Sequence, residues 1–154
     1  MKLYLVQHGA AVAKENDPER PLTPEGQAEV ERLAAFLKGA GVRAERVIHS
    51  GKLRAGQTAE CLADAIAAGI ELETSGLINP NDDPRAFDWQ SDSWDRDTLI
   101  VGHLPFLAKL VAHLVVGDEA RLLVAFQPGT VVCLEHVGGT RWVIDWMIRP
   151  ELLR

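Results

Sequence analysis

Two stretches, Lys2-Leu3-Tyr4-Leu5-Val6-Gln7-His8-Gly9 and Thr98-Leu99-Ile100-Val101-Gly102-His103, decide the fold. Each is a short, nearly unbroken apolar run that gives way within a residue or two to glycine and histidine. A strand with one wet face alternates apolar and polar residues, so unbroken apolarity points to strands covered on both faces, as in a parallel sheet. Arg46-Val47-Ile48-His49 repeats the pattern more briefly and is followed by Ser50 and Gly51.

What separates these strands reads as helix. Thr23-Pro24-Glu25 offers a capping hydroxyl, a proline at the first helical position and an acidic first turn. Val30, Leu33, Ala34 and Leu37 then recur at helical spacing until Gly39 and Gly41. Ser50 is placed to cap a second helix from Lys52 to Ala68, and Pro105 opens a third that carries Leu107, Leu110, Val111 and Leu114. Ile70 to Thr74 reads as a further short strand, Asn79 to Pro84 as a turn, and Pro84 to Trp89 as a short helix. Thr130–Glu135 and Thr140–Met147 form a hairpin turning near Gly138-Gly139, with Trp142, Ile144 and Trp146 on one core-facing side. The expectation is an α/β three-layer sandwich. Its central sheet is mostly parallel, with helices on both faces and a C-terminal antiparallel hairpin. No composition shift or linker interrupts the chain, so residues 1–154 are expected to form a single domain.

The 154 residues are 47% apolar, enough for a real core without staples. A net charge of −6, with no block of lysine and arginine, argues against nucleic acid as a partner. No apolar stretch is long enough for a signal peptide or a membrane span, which makes the cytoplasm the expected compartment. Cys61 falls in a helical pattern and Cys133 in a strand, without ligand-like spacing, so two free thiols are expected in place of a disulfide or zinc site.

In open α/β sheets ligands gather at the carboxyl ends of the strands. His8, His49 and His103 all stand there, each close to a glycine that permits near approach of the backbone. One such histidine would be an ordinary packed side chain; three in corresponding positions point to a site. Arg54 is the second clue, because it falls in the first turn of a helix, where the macrodipole favours acids. Two readings of it stand: a surface arginine paired with Glu60 or Asp64, or a cation that faces a phosphoryl group together with free helix amides. Three histidines also fit a zinc site, but no HExxH is present and Arg54 would repel a divalent cation. No GxGxxG, Walker A or GxSxG motif occurs.

At these residues the chain resembles the histidine phosphatase superfamily, and within it the short SixA-like phosphohistidine phosphatases. The resemblance runs through Gln7-His8-Gly9, Arg20-Pro21-Leu22-Thr23 with Gly26, Ser50 to Thr58, and Gly102-His103-Leu104-Pro105. It implies a phosphoglycerate mutase-like fold, with His8 as the nucleophile that becomes phosphorylated. It also implies that Arg54 and His103 hold the phosphoryl oxygens, that Gln7, Gly9 and Arg20 complete the phosphate pocket, and that neither metal nor cofactor is needed. His49 matches no functional position. Longer members such as phosphoglycerate mutases carry insertions that enclose the substrate. A chain of 154 residues leaves little room for these, so an open pocket is expected, suited to a phosphorylated protein side chain or a small phosphorylated substrate.

Two positions depart from the family pattern: Gln7 stands where it has arginine, and Gly51 where it has proline. Loss of one charged hydrogen bond to phosphate weakens oxyanion stabilisation by about 1.5–3 kcal/mol, roughly tenfold to a hundredfold in rate. The expected activity is hydrolysis of a phosphoramidate through phosphorylated His8. The alternatives are a catalytically weakened phosphate- or phosphoprotein-binding module and a small-molecule phosphomonoesterase. The attacking imidazole must be neutral, its second nitrogen pinned, with a backbone carbonyl near Gly9 as the expected partner. On the unperturbed histidine value, the rate should fall below about pH 6.5. Candidate general acids are Glu15, Asp17, Asp82 and Asp83, all in loops.

Overall fold

The structure, a computed structural model, describes residues 1–86 and 94–154. Its sheet contains β1 (Lys2–Gln7), β2 (Arg46–His49), β3 (Leu72–Thr74), β4 (Thr98–Gly102), β5 (Val131–Gly138) and β6 (Arg141–Ile148). The spatial order is β3-β2-β4-β1-β5-β6; the first four strands run parallel and the last two add antiparallel pairs. The helices are α1 (Pro24–Gly39), α2 (Leu53–Ile66) and α3 (Phe106–Val116). Pro84–Ala86 and Pro150–Leu153 are single 3₁₀ turns; the rest of the helix expected over Pro84 to Trp89 lies outside the described residues.

The unbroken apolar runs have the predicted cause. Tyr4 and Val6 of β1 pack with α1 and α2 through Val30, Leu33 and Leu62, while Leu3 and Leu5 pack with α3 through Phe106 and Leu110. Both faces of the sheet are therefore covered, which is the three-layer α/β arrangement. β4 lies between β1 and β2, with Gln7 opposite Gly102, so the carboxyl ends of β1 and β4 are immediate neighbours.

Two local expectations need correction. Trp142 and Trp146 do not share a face: Cys133 pairs with Trp146 but Leu134 with Ile144, a bulge that inserts one residue into β6 and reverses the side-chain alternation. Trp142 therefore packs on the α3 side and Trp146 on the α1–α2 side, while Ile144 is 40% exposed. Ser50 is not the cap of α2, which starts at Leu53 behind Lys52 and without a side-chain cap. The cap at Thr23 is as expected, its hydroxyl accepting the Gly26 N–H at 2.9 Å.

Candidate active site

The loop after β1 is closed tightly onto α1. A Cβ on Gly26 would lie 2.1 Å from the Ala10 carbonyl oxygen, so only glycine lets the helix approach here. Thr23 N–H donates to that same carbonyl at 2.9 Å, and a bridge joins Ala11 to Leu22. This excursion brings Arg20 back beside the strand ends. Its φ of 49° is the one left-handed value at a non-glycine among the described residues, and its Nε donates to the Val12 carbonyl at 3.1 Å. Strain of this kind, of order 1–3 kcal/mol, persists where surrounding contacts over-determine it.

His8 and His103 lie at the ends of the adjacent strands β1 and β4, with ring centroids 5.0 Å apart and His8 N–H bonded to the Gly102 carbonyl at 3.1 Å. Nδ1 of His8 stands 2.7 Å from the Gly9 carbonyl. A carbonyl only accepts, so Nδ1 carries the ring proton and Nε2 keeps its lone pair. Arg54 donates from Nε to that Nε2 at 3.3 Å. Burial, with help from the Arg54 and Arg20 charges and against the pull of the Gly9 bond, pushes His8 down to about 4. His103 is pushed to about 3, by burial first and then by His8 and the Arg54, Lys52 and Arg20 charges. Both imidazoles are neutral near pH 7.

Arg54 pairs with neither Glu60 nor Asp64; among the described residues Arg20, Lys52 and Arg54 form no ion pair. Three cations and the amides at the start of α2 converge where an anion is stabilised. Gln7 is buried, and its Oε1 has no partner among the described residues. His49 stands apart: its Nδ1 accepts the Gly51 N–H at 3.1 Å and its ring packs over Gly56. Asp17, Asp82 and Asp83 are engaged in their own turns, accepting from Glu19, Asn79 and Arg85 respectively, and Glu15 is exposed.

Two contributors escape sequence reasoning. Thr58, fully buried, accepts the Gly9 N–H at 3.0 Å and donates to the Arg54 carbonyl at 2.8 Å, tying the loop beside His8 to the helix that carries Arg54. Its spacing of four from Arg54, which puts both on one helix face, is the only local signal. Ser50 turns its hydroxyl to His103 Nε2 at 2.5 Å. The turn that presents it passes through Gly51 at φ +86°, a conformation closed to proline. No group of three His, Cys, Asp or Glu side chains among the described residues is arranged to hold a metal ion.

The family model of the histidine phosphatase superfamily (branch 1) matches residues 3–76. Phosphohistidine phosphatase SixA of Escherichia coli (strain K12) is 30% identical over 155 residues, covering 97% of this chain and 94% of that protein. The chain belongs to the histidine phosphatase superfamily. A solved structure of the protein histidine phosphatase SixA complexed with tungstate matches with a TM-score of 0.86 at 26% identity, covering 100% of both chains. The α-ribazole phosphatase from Shigella flexneri shares the superfamily fold, with a TM-score of 0.75 at 16% identity over 97% of each chain. No helix among the described residues is long and apolar enough to cross a membrane.

Proposed function

We propose that this chain is one phosphatase domain that hydrolyses a phosphoramidate, the phosphorylated histidine of a protein, without a metal ion. The observation that carries the reading is the pinned imidazole: His8 donates its Nδ1–H to the Gly9 carbonyl, and the Nε2 lone pair faces Arg54. Nε2 attacks phosphorus and the phosphoryl group passes to His8. The departing imidazole of the substrate, protonated beforehand, leaves as a neutral ring and needs no strong general acid. This fits a chain whose candidate acids Asp17, Asp82 and Asp83 are engaged in their own turns. Water then attacks the phosphoryl-His8 and releases phosphate. Arg54, Arg20 and His103 stabilise the phosphoryl oxygens throughout. The similarity to phosphohistidine phosphatase SixA supports this substrate class.

A weaker catalyst that mainly binds phosphorylated partners is the second reading, and Gln7 favours it, because a neutral amide supplies neither the charge nor the fork of a guanidinium. Rapid-quench labelling with phosphoramidate separates the two. The wild type should show a transient acid-labile phosphoryl label and release phosphate whether or not a chelator is present, and His8→Ala should show neither label nor turnover. Saturable phosphate binding without label would establish the binding module instead.

A further inference from the structure

We propose that Ser50 is a positioning residue: its hydroxyl donates to Nε2 of His103, which confines the ring proton to Nδ1 and holds that N–H ready for a phosphoryl oxygen. The inference rests on the phosphotransfer reading above and adds to it the group that sets the state of the second histidine. Ser50 Oγ lies 2.5 Å from His103 Nε2, and the same oxygen faces the Lys52 N–H at 3.4 Å. With its lone pairs facing one donor, the hydroxyl has its own hydrogen free for the ring.

His103 is only 2% exposed and is kept neutral by its surroundings, so it owns a single N–H. Which nitrogen bears that proton is decided by the hydrogen bond the other makes. Nδ1 of His103 is buried and has no partner among the described residues. A buried donor without an acceptor is costly in the free protein, and the cost is recovered when an acceptor arrives. The phosphoryl group carried by the neighbouring His8 ring brings such oxygens. The opposite tautomer would place a lone pair on Nδ1, which repels a phosphoryl oxygen. Free imidazole side chains prefer the proton on Nε2, so the arrangement depends on the serine.

Long-range ¹H–¹⁵N correlation spectra of histidine-labelled protein read the tautomer directly, without reference to activity. Wild type should show His103 protonated on Nδ1. Ser50→Ala should move the proton to Nε2 and lower kcat on phosphoramidate by about tenfold to a hundredfold, as loss of one hydrogen bond to the phosphoryl group would. Ser50→Thr, which keeps the hydroxyl, should restore both. A proton on Nε2 in the wild type, or a Ser50→Ala variant unchanged in either tautomer or kcat, would overturn the inference. Labelling of His8 in the same samples keeps the failures apart. A missing label in the wild type defeats the phosphotransfer reading, whereas a normal label with an unmoved tautomer defeats only the role of Ser50.

Discussion

The two ends of the parallel strands treat charge in opposite ways. At the amino ends, Lys2 meets Asp145 at 2.9 Å and Arg46 meets Glu73 at 2.8 Å, while the Lys2 N–H donates to Asp97 at 2.7 Å. At the carboxyl ends, Arg20, Lys52 and Arg54 gather around two neutral imidazoles, and among the described residues no carboxylate pairs with any of them. Matched charges at one end are surface electrostatics, worth about 0–1 kcal/mol per pair. Unmatched charges at the other end are left for an anion to complete, and the start of α2 adds its own positive pole.

The largest effect that would break this contrast belongs to Arg54. Arg54→Ala should lower kcat/KM on phosphoramidate by about a hundredfold to a thousandfold, as removal of an oxyanion donor does. Arg46→Ala should leave turnover alone and cost about 0–1 kcal/mol in urea denaturation. Equal losses of activity in the two variants would mean that the ends do not differ in kind. Gln7→Arg sharpens the contrast from the other side. By adding a fourth cation it should speed phosphoryl-His8 formation roughly tenfold to a hundredfold and tighten tungstate binding measured by calorimetry. A rate that does not move would show that Arg20 already fills the role.

A smaller effect lies in pH. On an ordinary histidine the rate would drop below about pH 6.5. Burial changes that expectation, because with His8 held at about 4 the attacking imidazole stays neutral and the rate should be flat down to about pH 5, falling only as pH passes through about 4. Stability follows another window. The unfolded chain binds protons at His8 and His103 from about pH 6.5, whereas the folded chain refuses them there until about 4 and about 3. Folding should therefore weaken as pH falls below about 6.5, through the interval between these values. At the opposite end Arg46 holds the Glu73 carboxyl below its ordinary range, so that contribution is present above 4.5 and fades at more acidic pH. Urea midpoints across the series would separate the two, and a midpoint that holds constant from pH 6.5 to 5 would contradict the buried neutral pair.

What could be read from residues alone was local. The strands, the Thr23 cap and the His8-to-Gly9 hydrogen bond involve neighbours within a few residues, where pattern and steric preference decide the outcome. The pairing of His8 with His103 was legible through topology, since both runs end alike. Three features were not. Trp146 changed faces because the bulge is a property of pairing between β5 and β6, which neither strand encodes by itself. Ser50 could have capped a helix, and only the placement of β4 gave its hydroxyl a ring nitrogen instead. The Thr58 partner Gly9 lies 49 positions away.

That threonine has a further consequence for how the molecule can change. One hydroxyl receives the amide of Gly9 and reaches back one turn to the Arg54 carbonyl. An inserted residue between them would swing the guanidinium by about 100° around the helix axis, since each residue advances one part in 3.6 of a turn. A change of length within this turn would thereby part the guanidinium from the loop that carries His8, so the two halves of the pocket keep their spacing only while those four residues of helix keep their count.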